Sequence, residues 1–262
     1  MMWNGTAYDL TGPEDAPVVA LIHGLGLNRQ ITWDGMLPAL SQRYRVLSYD
    51  LLGHGESAVP EGEVTLTALS EQLVDLMDHL QIGQAALVGF SLGGMINRRV
   101  ALDHPERVSA LAILNSPHER EPEAQAMYEK AARDSAVGGP EATVDAALKR
   151  WFSEGFHAEN LDVVARVRQI VVANDPANYA AHRYVLAAGV TELIRPDPPI
   201  DAPALVMTCE HDSGSTPAMS WAIAHEMPEA QVEIVAELRH LGLVERPEVF
   251  SKAVLKFLEG AV

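Results

Sequence analysis

A serine stands between two glycines in the pentapeptide Gly89-Phe90-Ser91-Leu92-Gly93. An apolar strand-like segment precedes the pentapeptide and an apolar helical pattern follows it, which is the context of a nucleophile elbow. In such a turn the flanking positions leave no room for side chains, and the serine hydroxyl is held above the sheet in a strained backbone conformation. The following helix offers free N–H groups at its amino end. The pattern therefore predicts that Ser91 is a nucleophile for acyl transfer.

A serine hydroxyl needs a general base, and that base needs a carboxylate to orient it. Of the ten histidines, His240 follows the last strand candidate, at the sheet edge where ligands bind in open α/β folds. Asp212 has the matching place after the preceding strand candidate, and the chain order Ser91, Asp212, His240 is typical of this elbow. Glu210 is an alternative acid. His211 is an alternative base, but its position beside Asp212 leaves no separate loop to bring it over the serine.

An oxyanion also needs donors, and the segment His23-Gly24-Leu25-Gly26 follows the first long strand candidate. Its glycines allow the loop to approach a ligand closely. We expect the backbone N–H groups of Leu25 and Leu92 to form an oxyanion hole, in which each fixed donor supplies roughly 3 kcal/mol. The turn at residues 50–57, which includes His54, is interpreted as structural because its Gly, Asp and Ser residues are typical of tight turns.

These residues must be positioned by a sheet, and the chain alternates strand-like and helical patterns as a parallel sheet with crossover helices requires. We expect a mostly parallel, doubly wound α/β sheet. Six segments are predicted to be strands: 18–22, 44–49, 85–88, 108–114, 204–207 and 232–235. Helices are predicted from apolar stripes at residues 69–80, 92–103, 217–226 and 247–258.

The alternation stops between Pro117 and about Ile200, where helical patterns dominate. We therefore divide the chain into a core (1–116 and 201–262) and a helical insertion (117–200), with helices predicted at 124–136, 141–152, 160–173 and 177–188. The helical insertion carries nine Lys and Arg against thirteen Asp and Glu. It is less acidic than the core, so an anionic substrate is more easily accommodated there, although solvated helix faces explain the same charges.

Composition excludes several classes of function. The 262 residues carry a formal net charge of −17, without a Lys/Arg-rich run, which disfavours binding to nucleic acids and to anionic membranes. No apolar stretch approaches the roughly 20 residues of a membrane span, and the first residues do not resemble a signal peptide. A single cysteine excludes an internal disulfide and a multi-thiolate metal site. We expect a cytoplasmic protein without a metal or cofactor that acts on a small molecule; no oligomeric state is predicted.

Taken together, these motifs resemble those of the α/β-hydrolase superfamily. The resemblance rests on His23-Gly24-x-Gly26, Asp50-x-x-Gly53-His54-Gly55-x-Ser57, Gly89-x-Ser91-x-Gly93-Gly94, His104-Pro105-Glu106-Arg107-Val108, Asp212 and His240. It implies an α/β-hydrolase fold with Ser91, Asp212 and His240 as the catalytic triad. The helical insertion then corresponds to the cap that this family places above the serine.

Within the superfamily, the chain is similar to 3-oxoadipate enol-lactonases and related small carboxylesterases. This similarity rests on less specific stretches: Tyr44 to Asp50, Arg150-Trp151-Phe152, Asp175 to Tyr179, Pro203 to Val206 and Ser215-Thr216-Pro217. In the helical insertion, Trp151, Phe152, Met127 and Tyr128 are predicted to form apolar pocket walls, and Arg150 or Arg133 to face a carboxylate. For Trp151 and Phe152, simple packing between the insertion and the core is an equal alternative.

The resulting prediction is a serine hydrolase that cleaves a small ester or lactone through an acyl-enzyme. An aspartate at the elbow would indicate a haloalkane dehalogenase or epoxide hydrolase, and a cysteine a dienelactone-type hydrolase, but residue 91 is serine. Hydrolysis of a carbon–carbon bond in ring-cleavage products, which uses the same triad, and hydrolysis of acyl-homoserine lactones are alternative functions. A ligand-binding member of the fold that does not turn over is a further alternative.

Overall fold

A single sheet organises the molecule, and the computed structural model describes residues 1–134 and 137–262. Within those residues eight strands are arranged in the order β1-β2-β4-β3-β5-β6-β7-β8. The first two strands run antiparallel to their neighbours, and every other pair is parallel. The strands are β1 Met2–Trp3, β2 Thr6–Thr11, β3 Val18–Ile22, β4 Arg45–Tyr49, β5 Ala85–Phe90, β6 Val108–Leu114, β7 Ala204–Cys209 and β8 Ala230–Val235. The predicted α/β fold class is confirmed.

Helices cover both faces of this sheet. Every residue of β5 and β7 is buried, as expected for central parallel strands whose two faces are both covered. The core helices are α1 Arg29–Trp33, α2 Leu37–Leu40, α3 Leu66–His79, α4 Leu92–Asp103, α10 Pro217–His225, α11 Gly242–Glu245 and α12 Pro247–Ala261, with a 3-10 turn at Pro105–Arg107. The four core helices predicted from apolar stripes are all present.

The helices of the insertion lie between β6 and β7. They are α5 Pro122–Asp134, α6 Glu141–Trp151, α7 Glu154–Glu159, α8 Leu161–Val172 and α9 Pro176–Ala188, followed by a 3-10 turn at Gly189–Leu193. The predicted segment 124–136 extends to Ser135 and Ala136, which lie outside the described residues. Among the described helices, none combines the length and the apolar character needed to cross a membrane.

Some elements were not predicted because they are short or lie at an edge. Strand β1 has only two residues, and β2 (Thr-Ala-Tyr-Asp-Leu-Thr) has neither an unbroken apolar run nor a strict alternation of polar and apolar residues. Strand β2 pairs antiparallel with β4 at the margin of the parallel sheet. Helices α1, α2, α7 and α11 have between four and six residues each. Segments of this length are too short for a helical apolar period to appear.

Three buried histidines join the helical insertion to the core. The His54 ring lies 5.4 Å from that of His23 and 4.6 Å from that of His182, which belongs to α9. Burial lowers the pKa of all three, and the neighbouring rings lower that of His54 further. The charge of Asp50 raises the pKa of His23, and the charge of Arg29 lowers it. The cluster is therefore neutral in the folded protein at neutral pH.

Replacing His182 with leucine is expected to weaken the dependence of stability on acid pH. A histidine that stays neutral when folded takes up a proton only after unfolding. The contribution of the neutral histidine to the free energy of unfolding is complete above about pH 6.5. It is lost as the pH falls through that value toward the lowered pKa of the folded state. In that window each such histidine adds up to about 1.4 kcal/mol per pH unit to the slope of the unfolding free energy.

Urea unfolding between about pH 7.5 and about pH 5.5 measures this slope. His182→Leu should show a shallower slope than the unsubstituted protein, whereas His225→Leu, at an exposed position at the end of α10, should not. Equal slopes for the His182 variant and the unsubstituted protein would contradict the prediction.

Candidate functional site

The carboxyl ends of the parallel strands bring the predicted site residues to one edge of the sheet. Ser91 directly follows β5, Asp212 follows β7, and His240 follows β8. The loop of Leu25 follows β3, which is the neighbour of β5 in the sheet. Residues far apart in sequence therefore converge at this edge, as is usual for ligand sites in open α/β sheets.

The turn at Ser91 is strained and tightly packed. Ser91 has φ 55° and ψ −111°, a conformation that L residues rarely adopt. A Cβ atom at Gly89 would lie 2.1 Å from the Gly93 carbonyl oxygen, and one at Gly93 would lie 2.0 Å from the Ile22 carbonyl oxygen. Only glycine fits at either position, because backbone atoms occupy the space of a side chain. The Ser91 N–H donates to the Leu114 carbonyl at 2.8 Å, which ties the turn to β6.

A continuous hydrogen-bonded path joins the three predicted side chains. His240 Nε2 lies 3.2 Å from Ser91 Oγ, and His240 Nδ1 lies 2.6 Å from Asp212 Oδ2. Because an ionised carboxylate only accepts, Nδ1–H donates to Asp212 and Nε2 is left to accept the serine proton. Ser91 and Asp212 are 5% and 3% exposed. The arrangement can activate a hydroxyl for attack on a carbonyl.

The Asp212 carboxylate is held by four donors. Oδ1 accepts from the N–H groups of Gly214 and Ser215 at 2.9 and 3.0 Å, and Oδ2 accepts from Asn115 Nδ2 at 2.9 Å as well as from His240. Burial by itself raises the pKa of Asp212, but His240 and the hydrogen-bond donors outweigh it and the pKa lies below its usual value. Asp212 is therefore ionised at neutral pH.

Asn115, which sequence reasoning missed as a site residue, contributes to this support. It follows β6 in a left-handed backbone conformation, with φ 47°, which asparagine tolerates better than most residues. Its position directly after a buried strand is the signal that sequence reasoning had available. The alternative acid Glu210 instead accepts from the Glu237 N–H at the surface, and the alternative base His211 is exposed.

The predicted oxyanion-hole residues Leu25 and Leu92 belong to segments beside the serine: Leu92 follows it in the chain, and a Cβ on Gly24, the residue before Leu25, would lie 3.1 Å from Ser91 Cβ. Leu92 is the first residue of α4, where backbone N–H groups have no partner within the helix. Leu25 lines the same cavity as Ser91. Within residues 1–134 and 137–262, neither N–H has an acceptor in the protein.

A cavity of about 350 Å³ opens over Ser91 beneath the helical insertion. Four of the six predicted pocket residues line it, namely Met127, Tyr128, Arg150 and Trp151. Residues that sequence reasoning missed also line it: Arg120, Thr143, Tyr179, Arg183 and Leu186. Tyr179 belongs to the stretch 175–179 that supports the family resemblance, but no motif or periodicity identifies any of the five as a pocket residue.

The predictions for Phe152 and Arg133 are corrected by the structure, because neither lines the cavity. The Phe152 side chain is fully buried and stacks on Phe156, with ring centroids 5.1 Å apart. Arg133 is exposed on α5, where it pairs with Glu129 at 3.6 Å and lies over the Tyr184 ring. A helix turns by about 100° per residue, so neighbours in sequence face different directions.

Three arginines line the cavity without a carboxylate partner. Among the described residues, no Asp or Glu oxygen lies within 4.0 Å of the side-chain nitrogens of Arg120, Arg150 or Arg183. Arg120 lies over the Tyr128 ring, 4.4 Å from its centroid, and its buried Nε has no hydrogen-bond partner in the part of the chain that the structure describes. Burial lowers the pKa of Arg120. The cavity therefore presents three guanidinium groups that are not paired with any carboxylate of the described residues.

The helical insertion also holds the loop of His240. The Leu241 N–H donates to the Trp151 carbonyl at 2.8 Å, and the Arg239 guanidinium donates to the Lys149 and Phe152 carbonyls at 2.7 and 3.2 Å. Both residues that flank His240 are thus bonded to the end of α6. In the described part of the chain, no group of three or more His, Cys, Asp or Glu side chains is arranged to hold a metal ion.

Comparison with known proteins agrees with this geometry. Residues 17–247 match the sequence profile of the alpha/beta hydrolase fold. The chain is 29% identical to a 3-oxoadipate enol-lactonase of Acinetobacter baylyi, over 94% of this chain and 90% of that one. It superposes on the crystal structure of the enol-lactonase from Burkholderia xenovorans with a TM-score of 0.87 at 32% identity, covering 97% and 96% of the two chains. A thermophilic esterase from Thermogutta terrifontis with bound malate gives 0.86 at 27% identity, covering 98% and 93%.

Gly93→Ala is expected to destabilise the fold severely. The new Cβ would overlap the Ile22 carbonyl, so the backbone of β3 or of the turn would have to move. We therefore expect the free energy of unfolding to fall by about 3 kcal/mol or more. Gly155→Ala is the matched control, because a Cβ at that position in α7 meets no atom of the described residues within 4 Å. Urea unfolding of both variants measures the difference, and a Gly93 variant as stable as the control would refute the packing argument.

Proposed function

Because the chain belongs to the alpha/beta hydrolase fold family, we propose that this hydrolase cleaves a small carboxylic ester or lactone through an acyl-enzyme on Ser91. The observation that carries the proposal is the path from Asp212 through His240 to the Ser91 hydroxyl, at 2.6 and 3.2 Å. The names of the relatives, enol-lactonase and esterase, support the class of bond.

In the first half-reaction, His240 Nε2 takes the proton of Ser91 as Oγ attacks the substrate carbonyl. The charge that develops on His240 is stabilised by the ionised Asp212, which also holds the ring in the required tautomer. The oxyanion accepts from the Leu25 and Leu92 N–H groups, each of which contributes roughly 3 kcal/mol to the transition state. Protonated His240 then gives its proton to the departing alcohol oxygen, and Ser91 is left acylated.

In the second half-reaction, water replaces the alcohol. His240 removes a proton from the water, the hydroxide attacks the acyl-serine carbonyl, and the same N–H groups hold the second oxyanion. Collapse returns the proton to Ser91 Oγ and releases the acid. A lactone follows the same course, except that its alcohol and acid leave as parts of one molecule.

The arginines of the cavity favour a substrate that carries a carboxylate in addition to the scissile ester. Arg120, Arg150 and Arg183 line the space above Ser91 without carboxylate partners among the described residues. A guanidinium binds a carboxylate through paired N–H donors, and a charge-assisted bond contributes about 1.5–3 kcal/mol. An enol-lactone of a dicarboxylic acid, as in the names of two relatives, has this combination of groups. An uncharged acyl-homoserine lactone would leave the arginines unpaired.

Ser91→Ala and His240→Ala are expected to lower ester hydrolysis by about 10³-fold or more, since each removes a member of one catalytic unit. A fluorophosphonate probe should label the unsubstituted protein and not the Ser91 variant. The substrates are p-nitrophenyl esters, an enol-lactone, a homoserine lactone and a ring-cleavage dienoate.

Three outcomes would contradict the proposal. Absence of labelling of the folded protein would indicate a binding protein of this fold. Turnover of the dienoate alone would indicate carbon–carbon bond hydrolysis. A loss of less than tenfold in the His240 variant would mean that another group is the base.

Arg183→Met is expected to weaken the binding of anionic substrates but not of neutral ones. With p-nitrophenyl hydrogen succinate, KM should rise by about tenfold or more, because a charge-assisted hydrogen bond is lost. With the neutral p-nitrophenyl butyrate, which is similar in size, KM should change by less than about twofold. Arg133→Met removes the same charge from the helical insertion outside the cavity, and should change neither value. Equal effects of the Arg183 variant on both esters would argue against a carboxylate subsite.

A further inference from the structure

The loop that carries Leu25 is held at its neighbour Gly26. Gly26 has φ 74°, in the left-handed region, and lies between β3 and α1. The Gly24–Leu25 peptide is planar, so its N–H and C=O point in opposite directions. Its carbonyl accepts from His23 Nδ1 at 2.8 Å and from the Leu27 N–H at 3.3 Å. The direction of the Leu25 N–H therefore follows from the conformation of the whole loop.

On the core side, His54 holds the Gly26 N–H. Its Nε2 accepts this hydrogen bond at 3.0 Å, and the ring is 2% exposed. His54 was interpreted in the sequence as part of a structural turn, and the structure places its ring directly against the loop of Leu25.

On the other side, the helical insertion holds the Gly26 carbonyl. Asn174, in the turn between α8 and α9, donates Nδ2 to the Gly26 oxygen at 3.0 Å. The same amide lies 3.0 and 2.9 Å from the Ile170 and Val171 carbonyls, and Asn174 is buried. The Tyr179 ring packs on Gly26 so closely that a Cβ there would lie 2.8 Å from Tyr179 Cε2.

We propose that Asn174 is a positioning residue for the oxyanion hole: by bonding the Gly26 carbonyl from the helical insertion, it holds the Leu25 N–H in its reactive direction. The inference rests on the proposed function. It gives the helical insertion a part in stabilising the transition state, in addition to covering the substrate. When this bond is lost and the loop moves, the hydrogen bond from the Leu25 N–H to the oxyanion becomes weaker. That hydrogen bond stabilises the transition state more than the ground state. The loss should therefore appear in kcat rather than in KM.

The experiment compares Asn174→Leu with Asn160→Leu. Both asparagines donate Nδ2 to the carbonyl four residues earlier, Asn174 to Ile170 and Asn160 to Phe156, but only Asn174 also reaches Gly26. The Leu variant at position 174 keeps the size of the side chain and removes the donor. Asn174→Asp, which replaces the donor with an acceptor in the same shape, is the second variant. Active sites are counted by fluorophosphonate titration, so that unfolded protein does not enter kcat, and thermal unfolding is measured alongside.

With p-nitrophenyl butyrate, both Asn174 variants should lose about tenfold or more in kcat per titrated site, a fraction of the 10²–10³-fold of a whole donor. KM should stay within about twofold, and Asn160→Leu should match the unsubstituted protein. A folded Asn174 variant with unchanged kcat per titrated site would overturn the inference, as would a loss confined to the number of titratable sites. Failure of the proposed function looks different, because the unsubstituted protein itself would then be neither labelled nor active.

Discussion

The close approach of the β5–α4 turn to β3 is the contact on which the rest of the site depends. Backbone atoms of Ile22 and Gly93 occupy positions where side chains would otherwise stand, so Ser91 is forced into its left-handed conformation at the end of the strand. Such strain persists only where the surroundings over-determine it, and here a fully buried strand and the start of a helix do so. The same turn leaves the Leu92 N–H beside the hydroxyl without an acceptor among the described residues.

Negative charge lies on one side of this turn, where it orients His240, and positive charge lies on the other side, in the cavity. Beneath the serine, the buried carboxylate of Asp212 is compensated by hydrogen-bond donors, which keep it ionised and hold His240 in one orientation. Above it, arginines of the helical insertion face the cavity without carboxylate partners among the described residues. In a protein with a formal net charge of −17, these arginines concentrate positive charge locally, and we propose that an anionic group of the substrate binds there.

The helical insertion contacts two of the loops that form the site. Bonds from Leu241 and Arg239 to the end of α6 flank His240, and Asn174 reaches the loop of Leu25. The helical insertion and the core are therefore joined at the residues that surround Ser91. A buried histidine cluster adds a third contact, whose neutral state couples the packing of α9 to pH.

Residues whose identity is dictated by the local chain could be predicted from the sequence. The elbow glycines, the apolar parallel strands and the positions of Ser91, Asp212 and His240 after them follow from local sterics and from the alternation of strands and helices. The pocket arginines Arg120 and Arg183, the support by Asn115 and the bond from Asn174 to Gly26 came only from the tertiary structure. The bonds of Asn115 and Asn174 each join residues at least 90 positions apart. The place of the two arginines depends on how the helical insertion packs over the core. Such contacts cannot be predicted from sequence periodicity, because a single polar residue gives the same local pattern whether its side chain contacts solvent or a distant loop.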